Sequence, residues 1–203
     1  MDKKSFVFYS KEKTIMKEYC LEVAGLKRHL PFVDINDELA FASFVVISDT
    51  ELVKAVGPLL AEKIGECDTI VTAEAKGIAL AYEISKQLGH QNFVVARKSE
   101  KSYMKDTLEI SVKSITTTSQ QHLYLDGSDI ARIKGRNVCL LDDVVSTGDS
   151  LAALEKLVTK AGANVVRKAC ILAEGQAAQR KDIVFLQKLP LFTKTADGDY
   201  EEI

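Results

Sequence analysis

Short apolar runs rich in β-branched residues alternate along this chain with stretches whose apolar positions recur at helical spacing. The runs predict core strands over 69–73, 92–97, 138–142, 165–173 and 183–187. Helices are expected at about 77–88 and 150–161; in the second, Leu151, Leu154, Val158 and Ala161 recur at i, i+3, i+7 and i+10, one buried stripe. An earlier helix over 50–64 carries Leu52, Val56, Leu59, Leu60 and Ile64 on one face, and Gly57-Pro58 inside it predicts a kink or break. Strands alternating with helices in this way imply an α/β fold, a parallel sheet with helices on both faces.

Three segments depart from that rhythm. Residues 101–126 contain two half-polar stretches, 107–113 and 120–125, around the tip Ser114-Ile115-Thr116-Thr117-Thr118-Ser119, the pattern of a projecting antiparallel arm with a flexible tip. Residues 1–48 stand apart as a small N-terminal subregion with a helix expected near Ser10 to Ala24. The tail, 193–203, is acidic, lacks apolar periodicity and is expected to fray. All of it, 1–203, reads as one domain without internal repeats.

Composition narrows the class. At 203 residues with 46% hydrophobic positions the chain can bury a substantial core. A net charge of −2 offers no general electrostatic grip on nucleic acid. No apolar run is long enough to span a bilayer, and the start Met1-Asp2-Lys3-Lys4-Ser5 has no apolar segment behind it, so neither a membrane partner nor a secretory signal is expected. Cys20, Cys67, Cys139 and Cys170 are scattered, as reduced thiols of a cytoplasmic protein would be. His29, His90 and His122 show no metal spacing.

The chemistry concentrates in Val138-Cys139-Leu140-Leu141-Asp142-Asp143-Val144-Val145-Ser146-Thr147-Gly148-Asp149-Ser150. Consecutive side chains of a strand face opposite ways, so adjacent carboxylates can converge on one ligand only where the strand is ending. There Asp142 and Asp143 can accept both hydroxyl hydrogens of a ribose cis-diol. The Ser/Thr/Gly loop that follows supplies N–H groups and hydroxyls at a helix N-terminus, a cradle for phosphate. A diol and a 5′-phosphate on one sugar suit the spacing between Asp143 and Ser150. A plain buried strand followed by a capped helix explains each part but not their order. The apolar strand with two acids also suggests a Walker B element, but no Gly-x-x-x-x-Gly-Lys-Ser/Thr precedes it, nor is there a Gly-x-Gly-x-x-Gly.

This stretch resembles the 5-phosphoribosyl-1-pyrophosphate (PRPP) motif of type I phosphoribosyltransferases, and the likeness, strongest for the purine branch, extends over most of 40–190. The resemblance implies transfer of a phosphoribosyl group from PRPP to a purine base with release of pyrophosphate, Mg²⁺ as cofactor, and a homodimer. It assigns the ribose and, through water, the metal to Asp142 and Asp143, which would also stabilise positive charge at the anomeric carbon. Ser146, Thr147, Gly148, Asp149 and Ser150 would hold the 5′-phosphate, with the Asp149 side chain turned away. Ala75, Lys76 and Gly77 are similar to the pyrophosphate loop of adenine phosphoribosyltransferases, with Lys for the usual Arg. Arg97, Lys98 and Lys101 match the basic run of the same enzymes. The arm would be the flexible loop that closes over the site and excludes water; Tyr103 and Lys113 are further substrate contacts, and no acid stands at its tip.

The N-terminal subregion would form a hood over the base, with Val46, Ile47 and Glu174 as base-binding residues. Ala42 to Asp49 is similar to xanthine enzymes but more apolar, and Leu172 to Gln176 lacks their Lys. Adenine is therefore the expected base, with xanthine or hypoxanthine and guanine as alternatives. A non-catalytic PRPP-sensing regulator of the same fold is the reading from a different class; no basic recognition helix precedes the resemblance.

Overall fold

The computed structural model describes residues 17–113 and 120–203. The described chain opens with three antiparallel strands, β1 (Glu18–Val23), β2 (Leu26–Asp34) and β3 (Leu39–Ala42). The helix expected near Ser10 to Ala24 is corrected over its described part. Leu21 and Val23 point inward while Cys20 and Glu22 face solvent, a period of two that only a strand satisfies. A tight turn with positive φ at Ala24 (54°) and Gly25 (74°) returns the chain antiparallel.

Next come α1 (Thr50–Ile64), β4 (Thr69–Ala73), α2 (Ile78–Gln87) and β5 (Val94–Ala96). Asp49 caps α1 by accepting from the Leu52 N–H at 3.0 Å and is held by Arg28, whose Nε donates to Oδ2 at 2.6 Å. The predicted break at Gly57-Pro58 does not occur. Pro58 and Lys54 both lie on the exposed side, so the carbonyl that loses its donor can turn to water while Leu52, Val56, Leu60 and Ile64 stay buried.

The arm follows as β6 (Leu108–Lys113) and β7 (Gln120–Leu125), paired antiparallel from Leu108↔Leu125 to Lys113↔Gln120. Its tip, 114–119, lies outside the described residues. Its root does not stand free. Arg97 and Tyr124 exchange backbone hydrogen bonds of 2.9 and 2.8 Å, and Leu123 and Leu125 are buried.

After α3 (Gly127–Ile133), which periodicity did not announce, come β8 (Asn137–Val145), α4 (Asp149–Lys160), β9 (Asn164–Glu174) and β10 (Val184–Leu189). The central sheet has the order β10-β9-β8-β4-β5, with every neighbouring pair parallel. Alternate residues of β8 feed two cores. Cys139 and Leu141 join α1, α2 and the N-terminal strands; Val138 and Leu140 join α4, α3 and the root of the arm. This is the doubly covered parallel sheet that near-continuous apolar strands require.

The tail is the second correction. Leu191–Lys194 (β11) pairs with β3, and Tyr200–Glu202 (β12) pairs with β11, extending the N-terminal sheet to the order β1-β2-β3-β11-β12. Phe192 is buried with its ring 4.8 Å from that of Phe32, and Tyr200 stacks on Phe32 at 4.0 Å. Strand pairing across the length of the chain leaves no local periodicity to read.

Candidate active site

The site forms where the sheet opens. Thr72 of β4 is the last residue to pair with β8, opposite Leu141, and its hydroxyl donates to the Leu141 carbonyl at 2.8 Å. On the other edge β8 stays paired with β9 through Val145↔Ala173. The strand thus runs past the acids instead of ending at Asp142 as predicted, but one edge is bare from Asp142 onward. A cavity of about 340 Å³ occupies that opening, and both Asp142 and Asp143 line it.

Asp143 is fully buried, and neither of its carboxylate oxygens receives a hydrogen bond. Lys76 Nζ stands 2.9 Å from Oδ2 but off the hydrogen-bonding directions, an ionic contact reaching across from the loop after β4. Asp142 Oδ1 accepts the Asp143 N–H at 2.9 Å. Burial first, and the neighbouring Asp143 charge second, push the Asp142 carboxyl up to about 7, against the opposing pull of Lys76. A carboxyl raised in the folded state stabilises the fold while it is protonated and loses that contribution as pH rises through its folded-state value. Its contribution to stability should be lost as pH rises from about 4 to about 7, with a slope of at most about 1.4 kcal/mol per unit. Thermal melts of the ligand-free protein and of Asp142→Asn over this range check it: the variant should lack that decline, and parallel curves would place the proton elsewhere.

Beyond the strand, Ser146 to Ser150 curl into a cup of about 50 Å³ at the start of α4. Gly148 has φ 85°, which a Cβ would strain, and a Cβ there would also stand 2.2 Å from Arg180 Nη1. Asp149 Oδ2 accepts from the Thr147 hydroxyl at 3.0 Å, as a carboxylate in the first helical turn can do while complementing the dipole. Arg180, which sequence reasoning passed over, is forked onto Asp182 through Nε (2.9 Å) and Nη2 (2.8 Å), leaving Nη1 against the cup.

The predicted pyrophosphate residues separate into two groups. Ala75, Lys76 and Lys98 line the cavity. Gly77 instead seats α2 against β4, with the space of its missing Cβ taken by Thr72 Oγ1. Arg97 lies 2.9 Å from Glu74 Oε2, and Lys101 Nζ donates to Ser99 Oγ at 2.5 Å; neither lines the cavity. Glu74 organises this side, since its Oε1 also accepts the Lys98 N–H at 2.6 Å. Tyr103 is exposed and away from the wall, while Leu123 of the arm is part of it. The side chain of Lys113 lies outside the described residues.

At the other end the wall is apolar: Phe41, Ala42 and Phe44 from the N-terminal sheet, with Val144 and Leu189. Glu174, paired with Leu189 in the sheet, also lines the cavity. Val46 and Ile47, expected beside it, do not line the cavity, because Val46 is buried in the core and Ile47 is about half exposed. Phe44 and Val46 share the inward parity of the segment, so alternation does not choose between them, and Phe44 is the one that lines the cavity. Burial raises the Glu174 carboxyl above the ordinary range, with Lys76 acting in the opposite direction.

The parallel sheet thus splits at paired carboxylates, with a helix-start cup beside them and a lysine loop opposite. The chain belongs to the phosphoribosyl transferase domain family, whose profile matches residues 47–197. It is 39% identical over 113 residues to a hypoxanthine/guanine phosphoribosyltransferase of Methanococcus voltae, covering 56% of each chain. A protein of the same description from Methanococcus vannielii is 35% identical over 133 residues, 65% of this chain and 68% of that one. With the first of these, the match spans little more than half the relative's length. Among solved structures, adenine phosphoribosyltransferase from Thermoanaerobacter pseudethanolicus superposes with a TM-score of 0.62 at 22% identity, covering 78% of this chain and 95% of that one. The Trypanosoma brucei adenine enzyme, solved with AMP, pyrophosphate and ribose-5-phosphate, gives 0.55 at 23% identity, over 73% and 70%. At such identities the superpositions establish the shared type I fold.

Proposed function

We propose that this chain is a purine phosphoribosyltransferase, converting adenine and PRPP to AMP and pyrophosphate. The observation that carries the reading is the fully buried Asp143 carboxylate, without a hydrogen-bond donor, facing the cavity between the phosphate cup and Lys76. A buried acceptor without a donor is costly and calls for a ligand that supplies one. The ribose hydroxyls would do so, and the cup would take the 5′-phosphate through its N–H groups and the hydroxyls of Ser146, Thr147 and Ser150.

In this reading Lys76 and Lys98 receive the pyrophosphate, whose negative charge grows as the bond from the anomeric carbon breaks. The Asp142–Asp143 pair stabilises the opposite charge on the sugar. Both acids are hard oxygen donors, and the described residues hold no cluster of three or more His, Cys, Asp or Glu placed for a metal. That donor set fits Mg²⁺, which keeps several waters and binds through one or two carboxylates plus substrate phosphates. Bound there, Mg²⁺ would neutralise phosphate charge. Leu123 brings the arm to the cavity wall, and the arm excludes water from the activated sugar. A cytoplasmic homodimer acting on small molecules, not on nucleic acid or membranes, completes the proposal; no described helix is long and apolar enough to cross a membrane.

The relatives from Methanococcus favour a second reading, hypoxanthine or guanine as the base. Incubating the protein with PRPP, Mg²⁺ and radiolabelled adenine, guanine, hypoxanthine or xanthine separates the alternatives. Conversion of adenine supports the proposal, and conversion of xanthine alone overturns the choice of base. No conversion of any base, with PRPP binding intact, would identify a regulator.

A further inference from the structure

Arg180 lies between β9 and β10, outside every motif that the sequence singles out. Its Nε and Nη2 donate to Asp182 at 2.9 and 2.8 Å, the two-pronged geometry that fixes a guanidinium in place. Asp182 is itself tied back. Lys168 Nζ of β9 stands 3.5 Å from Asp182 Oδ2 and 2.8 Å from Glu155 Oε2, so ionic contacts run from α4, the helix behind the cup, to the arginine. Arg180 Nη1 is left over: among the described residues no hydrogen bond or ion pair uses it. It occupies the space that a side chain at Gly148 would take, at the turn that starts α4. One residue further on, Asp149 adds a carboxylate to the lining of the same cup.

We propose that Arg180 is a positioning residue for the cup, holding against the Gly148 turn a fixed positive charge that offsets Asp149 and so keeps the cup attractive to a phosphate dianion. This rests on the transferase reading above. The free N–H groups and the dipole of α4 favour an anion, whereas a carboxylate in the same cup opposes one. Arginine suits the task because it stays charged at any working pH, and because a fork on one carboxylate leaves a nitrogen over. That fork also holds the Asp182 carboxyl down to about 2, so the anchor stays ionised as well. Arg180 does not line the cup, and it acts through its field and through the loop, not by touching the sugar. Its side chain is partly exposed, which screens the effect to about three- to tenfold in affinity.

Titration calorimetry of ribose-5-phosphate, a probe that serves whichever base is used, with the intact chain at low and high salt tests this without requiring turnover. Arg180→Gln should weaken binding about three- to tenfold at low salt, and the deficit should shrink at high salt. Arg180→Lys, which keeps the charge but not the fork, should lose less. Asp149→Asn should restore most of the affinity in the Arg180→Gln background while changing it little in the unaltered chain. A merely steric prop for the loop would give a loss that neither salt nor Asp149→Asn reduces, and that result overturns the assignment. So does unchanged affinity in Arg180→Gln, or a variant that no longer melts cooperatively, which would show Arg180 serving the fold. If the expected pattern appears while no base is converted, the role of Arg180 stands and the transferase reading falls. If a base is converted but Arg180→Gln binds the probe as before, the reverse holds. Should ribose-5-phosphate not bind the unaltered protein, the assignment fails, and conversion of a base alone judges the transferase reading.

Discussion

Asp143→Asn should lower phosphoribosyl transfer by at least about a hundredfold while leaving the melting temperature unchanged or raising it. The two effects have opposite signs for one reason. In the ligand-free protein the Asp143 carboxylate is fully buried, unhydrogen-bonded and opposed only by a half-exposed lysine at 2.9 Å. Such a group is a burden on folding. Its amide, similar in size and uncharged, costs less to bury but has one acceptor in place of two and no charge to set against the developing cation. Steady-state transfer assays and thermal melts on the same preparations check this. A variant that loses activity and melts earlier in proportion would show that Asp143 serves the fold, and one with undiminished transfer would remove it from the chemistry. Because Lys76 is released by the substitution, affinity for pyrophosphate should hold steady or rise. The loss then falls on kcat more than on binding of the leaving group.

The second large effect concerns a residue that touches no substrate in this account. Gly77→Ala places a Cβ 2.2 Å from Thr72 Oγ1, inside any tolerable contact, and 3.6 Å from the Leu141 carbonyl oxygen. Relief requires Thr72 to rotate and abandon its 2.8 Å hydrogen bond to Leu141, or α2 to withdraw from β4. Overpacking and a lost buried hydrogen bond together cost about 2 to 4 kcal/mol, on the order of 10 °C in melting temperature for a chain of this size. The double variant Thr72→Ala, Gly77→Ala removes the obstruction, so its destabilisation should be smaller than the sum of the single changes. Strict additivity in that cycle would show that the two residues do not meet. Since Lys76 precedes Gly77, pyrophosphate affinity should fall along with stability in the single variant and return in part in the double.

Much of the core was legible in the chain because its information is local. β4 and α1 lie where the periodicity put them, and the other core strands and helices differ at their ends by one to three residues, since a half-buried helix and a buried strand each write their period into consecutive residues. The tail was misread for the opposite reason. Phe192 and Tyr200 are ordered by Phe32, a residue far away in the sequence, so a stretch that looks acidic and aperiodic becomes two strands of the N-terminal sheet. The strand at Glu18–Val23 was missed although its alternation is visible, because six residues of period two are easily absorbed into a helical reading.

For the site the division is sharper. By itself the sequence determined the ingredients: two adjacent acids, a hydroxyl-rich turn before a helix, a lysine loop and a basic run, in an order that suits a phosphorylated ribose. The tertiary structure decided which of them share a cavity. It brought Lys76 onto Asp143, left Arg97 and Lys101 outside the cavity, and lined its apolar wall with Phe41 and Phe44 where Val46 and Ile47 were expected. The physical reason is that residue type and spacing are properties of neighbours along the chain, whereas the cavity exists because β8 loses one sheet partner after Leu141 and keeps the other, a choice made by hydrogen bonds between segments some 70 residues apart in the case of Thr72 and Leu141.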